Sequence, residues 1–119
     1  MFINFSNHPS SKWSSKQTEA AQLYGEIKDL TFPVVDEAAT TEDIKKLAQE
    51  YLKKISEIAP DVNNTTIHIM GEMTFTLAMV VALKSEGYSC VASTSKRIVE
   101  EMPDGSKNVK FEFCQFREY

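Results

Sequence analysis

The stretch TTIHIMGEMTFTLAMVVALKSEGYSCVAS, residues 65–93, contains two short apolar runs on either side of a longer one. TTIHIM and YSCVAS have the length of buried strands, and GEMTFTLAMVVALKSEG is long enough for a helix that ends at Gly87. A strand, a helix and a second strand in this order predict two parallel strands joined by a crossover helix. The stretch therefore predicts an α/β fold.

The residues before this unit repeat the same alternation. Residues 1–5 predict a strand, and the polar segment SNHPSS predicts a loop after it. Ser14 and Gln17 have capping-box spacing before an apolar stripe, and Gly25 is placed to end this first helix. EIKDLTF then predicts a second strand that stops at Pro33.

The clearest helix lies between the second and third strands and ends before Pro60. Its apolar residues follow the i, i+3, i+4, i+7 spacing of a helix that packs on a sheet: Ile44, Leu47, Ala48, Tyr51, Leu52, Ile55 and Ile58. Four strands alternating with three helices predict one small Rossmann-like domain over residues 1–119, with a mostly parallel sheet.

The last segment predicts a different structure. RIVEEM and KNVKFEFCQF are extended runs on either side of PDGS, and the Asp104-Gly105 pair is typical of a hairpin turn. We therefore predict a C-terminal β-hairpin that adds antiparallel strands at a sheet edge or projects as an arm.

Composition limits the class of protein. The net charge of −4 argues against a protein that coats long nucleic acid. No run approaches the length of a membrane span, and MFINFSNHPS lacks the features of a signal peptide, so we expect a cytoplasmic protein without a membrane partner. Cys90 and Cys114 are expected to be reduced thiols.

Ligands of open α/β sheets bind beyond the carboxyl ends of the strands, which directs attention to three segments. The first is SNHPS, in which Ser6, Asn7 and His8 follow the first strand. His8 can act as a general acid or base or donate to a phosphate. The alternative is that His8 is an ordinary surface residue.

The second segment is the turn from the third strand into the third helix. Gly71 allows the backbone to approach a ligand, the amide groups after it lie at the positive end of the helix dipole, and Thr74 adds a hydroxyl. The alternative is a tight turn in which Glu72 only stabilises the helix N-terminus.

The third segment is STSKR, which we predict to be a loop after the fourth strand. Ser93, Thr94 and Ser95 offer hydroxyl donors, and Lys96 and Arg97 offer positive charges suited to phosphate oxygens. The alternative is that the two cations only solvate the start of the hairpin.

Other kinds of site are poorly supported. The histidines, cysteines and acids have no recognisable metal-ligand spacing, so we expect neither a metal nor a cofactor. His68 alternates with isoleucines inside a strand, which favours a structural role. The third helix is apolar on all sides, which predicts burial in the core or in a homodimer interface.

FSNHPS, MGEMTFTLAMVVAL and ASTSKRIVEEMPDGSKNVKFEFCQFREY resemble segments of the small stand-alone CRISPR-associated proteins of type III systems. The fold of those proteins is related to the CARF (CRISPR-associated Rossmann fold) domain, and they act as ring nucleases. The likeness is clearest from residue 67 to residue 119.

The resemblance implies a CARF-like homodimer that binds cyclic tetra-adenylate and cleaves it to switch off type III signalling. The implied chemistry is metal-free attack of a ribose 2′-hydroxyl on the adjacent phosphate. The resemblance implies catalytic roles for His8, Glu72, Lys96 and Arg97. The other residues named in the three segments are the implied ligand contacts. A module that binds the cyclic oligonucleotide without cutting it, and a nucleotide-binding protein unrelated to defence, are the alternatives.

Overall fold

The computed structural model describes residues 1–119. Its strands are β1 (Phe2–Ser6), β2 (Ile27–Asp29), β3 (Thr66–Met70), β4 (Ser89–Glu101) and β5 (Lys107–Glu118). Its helices are α1 (Ser15–Gln22), α2 (Thr41–Ile58) and α3 (Met73–Ser85), and two 3-10 turns cover Ser10–Lys12 and Val62–Asn64.

The five strands form one sheet in the order β2-β1-β3-β4-β5. Strands β1 to β4 are parallel, and β5 runs antiparallel to β4 at the edge. This confirms the predicted α/β class with a mostly parallel, Rossmann-like sheet. The strand order reverses between β1 and β3, and ligands of such sheets bind at the carboxyl ends beside this reversal.

The helices divide between the two faces of the sheet. Ile3, Phe5 and Ile67 point to the face that α2 and α3 cover, where the larger core lies. Phe2 and Val91 point to the opposite face and pack against α1. Because side chains alternate along a strand, the even-numbered residues of β1 and β3 all face α1.

Helix ends follow the predicted signals. The Ser14 side chain accepts the Gln17 N–H at the start of α1, and Gly87 takes a positive φ of 95° after α3. The second strand is shorter than predicted, because only residues 27–29 of EIKDLTF pair with β1. Phe32 instead leaves the strand and buries its ring in the core.

The prediction that residues 93–97 form a loop is wrong. They lie inside β4, which continues without interruption to Glu101 and pairs with β5 along this whole length. The ladder satisfies the backbone groups of this polar run, so the run needs no buried face to remain extended. A bulge between Thr94 and Ser95 is the only irregularity in the pairing.

The predicted hairpin is confirmed, with its turn at Asp104 and Gly105, and Gly105 has a positive φ of 87°. Strand β4 pairs with β3 only as far as Val91. Residues 95–113, which we call the arm, therefore form a two-stranded ribbon that leaves the sheet. The radius of gyration is 16.1 Å, whereas a compact domain of this length has about 13.5 Å.

Helix α3 is covered on only one side. Phe75, Met79 and Leu83 are fully buried in the core. Met73, Leu77 and Val81 form an exposed apolar stripe at helical spacing. None of the helices has both the length and the apolar composition needed to cross a membrane.

Candidate functional site

A cleft of about 820 Å³ opens on the α1 face of the sheet, between the segment that leads into α1 and the base of the arm. It lies at the carboxyl ends of β1 and β3, where the strand order reverses. Its lining combines cations, hydroxyls and aromatic rings: Ser6, His8, Lys12, Trp13, Ser14, Lys16, Gln17, His68, Met70, Ser93, Ser95, Ile98, Lys110, Phe111, Glu112 and Phe113.

Asn4, a buried residue of β1, organises the floor of this region. Its amide nitrogen donates to Asp29 Oδ1 and to the His8 carbonyl, both at 2.8 Å. Both partners are acceptors, so they fix the amide nitrogen on that side. Asn4 Oδ1 therefore faces the other way, where it accepts the Ser6 hydroxyl at 2.8 Å and lies 2.9 Å from His68 Nδ1.

This network fixes the state of His68. Because Asn4 Oδ1 can only accept, Nδ1 of His68 carries the proton and Nε2 carries a lone pair. The ring is stacked on Phe2 and meets Trp13 edge-on, and Nε2 is buried without a partner. Burial, with a smaller contribution from the charge of His8, lowers the pKa of His68 to about 4. His68 is therefore a neutral acceptor at physiological pH.

His8 has a fixed backbone and a free side chain. Its N–H donates to Ser6 Oγ at 3.2 Å, and its carbonyl accepts from the Asn4 amide at 2.8 Å. The imidazole is exposed at the cleft and makes no hydrogen bond within the protein. This arrangement suits a group that exchanges protons with a ligand.

Three lysines surround the cleft, and sequence reasoning missed all of them. Lys12 and Lys16 lie beside the N-terminus of α1, whose first turn holds no acidic residue. Lys110 reaches the cleft from the arm and makes a loose, exposed ion pair with Glu100 at 3.8 Å. A helix N-terminus flanked by cations favours anions, so this side of the cleft suits a phosphate.

Some of the predicted site residues meet here. Ser6, His8, Ser93 and Ser95 all line the cleft, although they come from two segments far apart in the sequence. The Ser93 hydroxyl lies 3.0 Å from Met70 Sδ and can turn to a better acceptor. Four of the predicted residues are therefore brought together.

The predicted residues of the turn around Gly71 do not line this cleft. The Glu72 carboxylate accepts the N–H of Thr74 at 2.6 Å and that of Phe75 at 3.1 Å, and it also accepts the Thr74 hydroxyl. These hydrogen bonds, the hydroxyl bond first, lower the pKa of Glu72. The carboxylate therefore occupies the position that a phosphate would take. A Cβ on Gly71 would lie 2.3 Å from the Phe32 ring, so close packing explains this glycine.

The remaining predicted residues also lie outside the cleft. Thr94 directs its hydroxyl to the Gln115 carbonyl at 3.2 Å. Asn7 lines a smaller adjacent recess of about 220 Å³ beside β2. Lys96 and Arg97 are exposed on the arm and make no ion pair. They do not line the cleft of their own chain.

A signal for the missed residues exists in the segment SKWSSK, which places two lysines and a tryptophan directly after the first loop. His68 is opposite Asn4 in the β1–β3 register, and alternation puts both on the α1 face. No group of three or more His, Cys, Asp or Glu side chains is arranged to hold a metal ion.

Comparison with known proteins identifies a family. No curated protein and no solved structure matches the chain at a significant level. One family model, described as the Uncharacterized protein MJ1673 family, matches residues 1–117. The match spans the sheet, the cleft and both strands of the arm, and the chain therefore belongs to the MJ1673 family.

Proposed function

We propose that the protein is a ring nuclease that binds a cyclic oligoadenylate, with cyclic tetra-adenylate as the first choice, in the cleft of a homodimer. The observation that supports the proposal most is the set of side chains that line the cleft. Lys12, Lys16 and Lys110 match phosphates, and the hydroxyls of Ser93 and Ser95 match ribose and phosphate oxygens. Trp13 and Phe111 add aromatic rings of the kind on which nucleobases stack.

The size of the cleft agrees with a shared site. Clefts of roughly 300–1,000 Å³ enclose a drug-sized ligand, and a ring of four nucleotides is larger than such a ligand. One cleft of about 820 Å³ therefore holds part of the ring, and the second subunit completes the site.

The proposed reaction uses only groups of the ligand and the chain. The ribose 2′-oxygen attacks the adjacent phosphorus, the bond to the 5′-oxygen breaks, and the products carry a 2′,3′-cyclic phosphate and a 5′-hydroxyl. His8 accepts the 2′-hydroxyl proton or donates a proton to the leaving oxygen. The lysines stabilise the charge that develops on the phosphate.

Binding without cleavage is the second candidate. One observation favours it: Lys96 and Arg97, to which the resemblance assigns catalytic roles, do not line the cleft of their own chain. Incubation with cyclic tetra-adenylate, followed by separation of intact ring from linear products, decides between the two. A bound but intact ring would favour the binding module, and no binding at all would refute both.

Cleavage is expected to continue in excess chelator. The proposed chemistry meets the phosphate charge with lysines and backbone groups, and the chain has no cluster of metal-ligating side chains. Single-turnover rates with EDTA and with added magnesium should agree within about twofold. Activity that EDTA abolishes and manganese or magnesium restores would contradict this mechanism.

Lys16→Ala is expected to weaken binding of cyclic tetra-adenylate by at least about tenfold, because one hydrogen bond to a charged group contributes roughly 1.5–3 kcal/mol. Lys46→Ala is the matched control, since it removes the same charge from α2, on the other face of the sheet. Titration calorimetry measures the dissociation constants. Equal weakening by Lys46→Ala would indicate nonspecific attraction instead of a site.

A further inference from the structure

The arm has an unpaired edge that can accept another strand. β5 is the outermost strand of the sheet, and its 12 residues contain neither proline nor glycine. Met102 N–H donates to the Ser106 carbonyl at the start of the ladder. Because hydrogen-bonded and non-hydrogen-bonded pairs alternate, Val109 and Phe111 direct their N–H and C=O groups outward. An exposed edge of this kind is a template for a further strand.

We propose that the partner on this edge is β5 of a second copy of the chain, paired antiparallel around a two-fold axis at Phe111. In this register Phe111 is opposite the partner's Phe111, and Lys110 is opposite the partner's Glu112. Val109 is opposite the partner's Phe113. Aromatic, opposite-charge and aromatic–β-branched pairs are those that stabilise antiparallel strands. By symmetry, the last two pairs each occur twice.

The charge and the exposed apolar surface of the arm agree with this partner. Between residues 95 and 113, four cations balance four anions, so the arm is better suited to its own copy than to a long nucleic acid. Phe111 is 70% exposed and Val109 is 41% exposed in the single chain. A two-stranded ribbon is marginally stable alone, whereas pairing converts two arms into a four-stranded sheet.

The same pairing brings the two clefts together into one site. This part of the inference rests on the proposed function. The two-fold axis of an antiparallel pair is perpendicular to the sheet, so both clefts open on one face. Phe111 lines the cleft and is opposite Arg97 in its own chain. Residues opposite each other share a face, so two Arg97 side chains lie near the axis. A cyclic ligand with two-fold symmetry would contact both.

A charge exchange tests the interface in the absence of ligand. Wild-type protein is expected to form a dimer of about twice the chain mass of 13.5 kDa. Lys110→Glu and Glu112→Lys each create two like-charge pairs across the axis, and each is expected to raise the dimer dissociation constant at least about tenfold. The double variant restores opposite charges across the axis and is expected to return the constant to within a few-fold of wild type. Light scattering over a dilution series measures the constants.

The double variant also excludes an effect within one arm. Lys110 pairs with Glu100, and Glu112 is opposite Lys96, so the exchange places like charges together inside each hairpin. Recovery of the dimer can therefore come only from the contact between chains. A wild-type monomer would refute the interface, as would a dimer that resists all three variants and is broken by Leu77→Asp on α3. Failure of cyclic tetra-adenylate to bind an intact dimer would refute the proposed function and leave the interface standing.

Discussion

We expect His8→Ala to slow single-turnover cleavage of cyclic tetra-adenylate by about 10²–10⁴-fold, the usual contribution of a general acid or base. The dissociation constant should change by no more than a few-fold, because the lysines of the cleft, and not His8, bind the phosphates. Rapid-quench measurement at saturating enzyme gives the rate, and calorimetry gives the affinity.

The structure supports this separation of rate from affinity. Asn4 and Ser6 hold the His8 backbone, while the imidazole makes no hydrogen bond within the protein. Replacement by alanine therefore removes the side chain without releasing the loop. Glu72→Gln is the control variant. Because Glu72 caps α3 and lies outside the cleft, this variant should cleave at close to the wild-type rate. A wild-type rate for His8→Ala together with slow cleavage by Glu72→Gln would reverse these roles.

The parts of the fold that could be predicted are those that local chemistry decides. Apolar runs of strand and helix length predicted the βαβ unit, and the Asp104-Gly105 pair predicted the hairpin turn. The continuous β4 could not be predicted, because residues 93–97 have no buried face and so show no alternation of apolar and polar side chains. Their extended conformation depends on β5, which follows later in the chain.

The candidate site depends even more on distant contacts. Lys12 and Lys16 reach the cleft because Trp13 packs against Phe2 and holds the segment before α1 on the sheet. The partnership of Asn4 with His68 depends on the register of β1 and β3, which a single sequence does not specify. The Gly71 turn has the pattern of an anion site, but the carboxylate of Glu72 occupies it.

The Asn4–His68 pair leads to a prediction about stability. The pKa of His68 is about 4 in the folded chain, because burial disfavours the charged ring, and about 6.5 in the unfolded chain. Between these two values the unfolded chain binds the extra proton and the folded chain does not, so the free energy of unfolding falls as pH decreases from 6.5 to 4. The loss is expected to be about 3 kcal/mol.

His68→Asn isolates this effect. The asparagine amide can still donate to Asn4 Oδ1, but it does not titrate. Between pH 7 and pH 4 the free energy of unfolding of the variant should therefore fall by about 3 kcal/mol less than that of wild type. Urea unfolding at pH 7 and pH 4 measures both losses. Carboxylates such as Glu72 titrate in both proteins and cancel in the comparison. Equal losses in wild type and His68→Asn would mean that the buried ring is protonated in the folded chain, and the assignment of Nε2 as a bare acceptor would then be wrong.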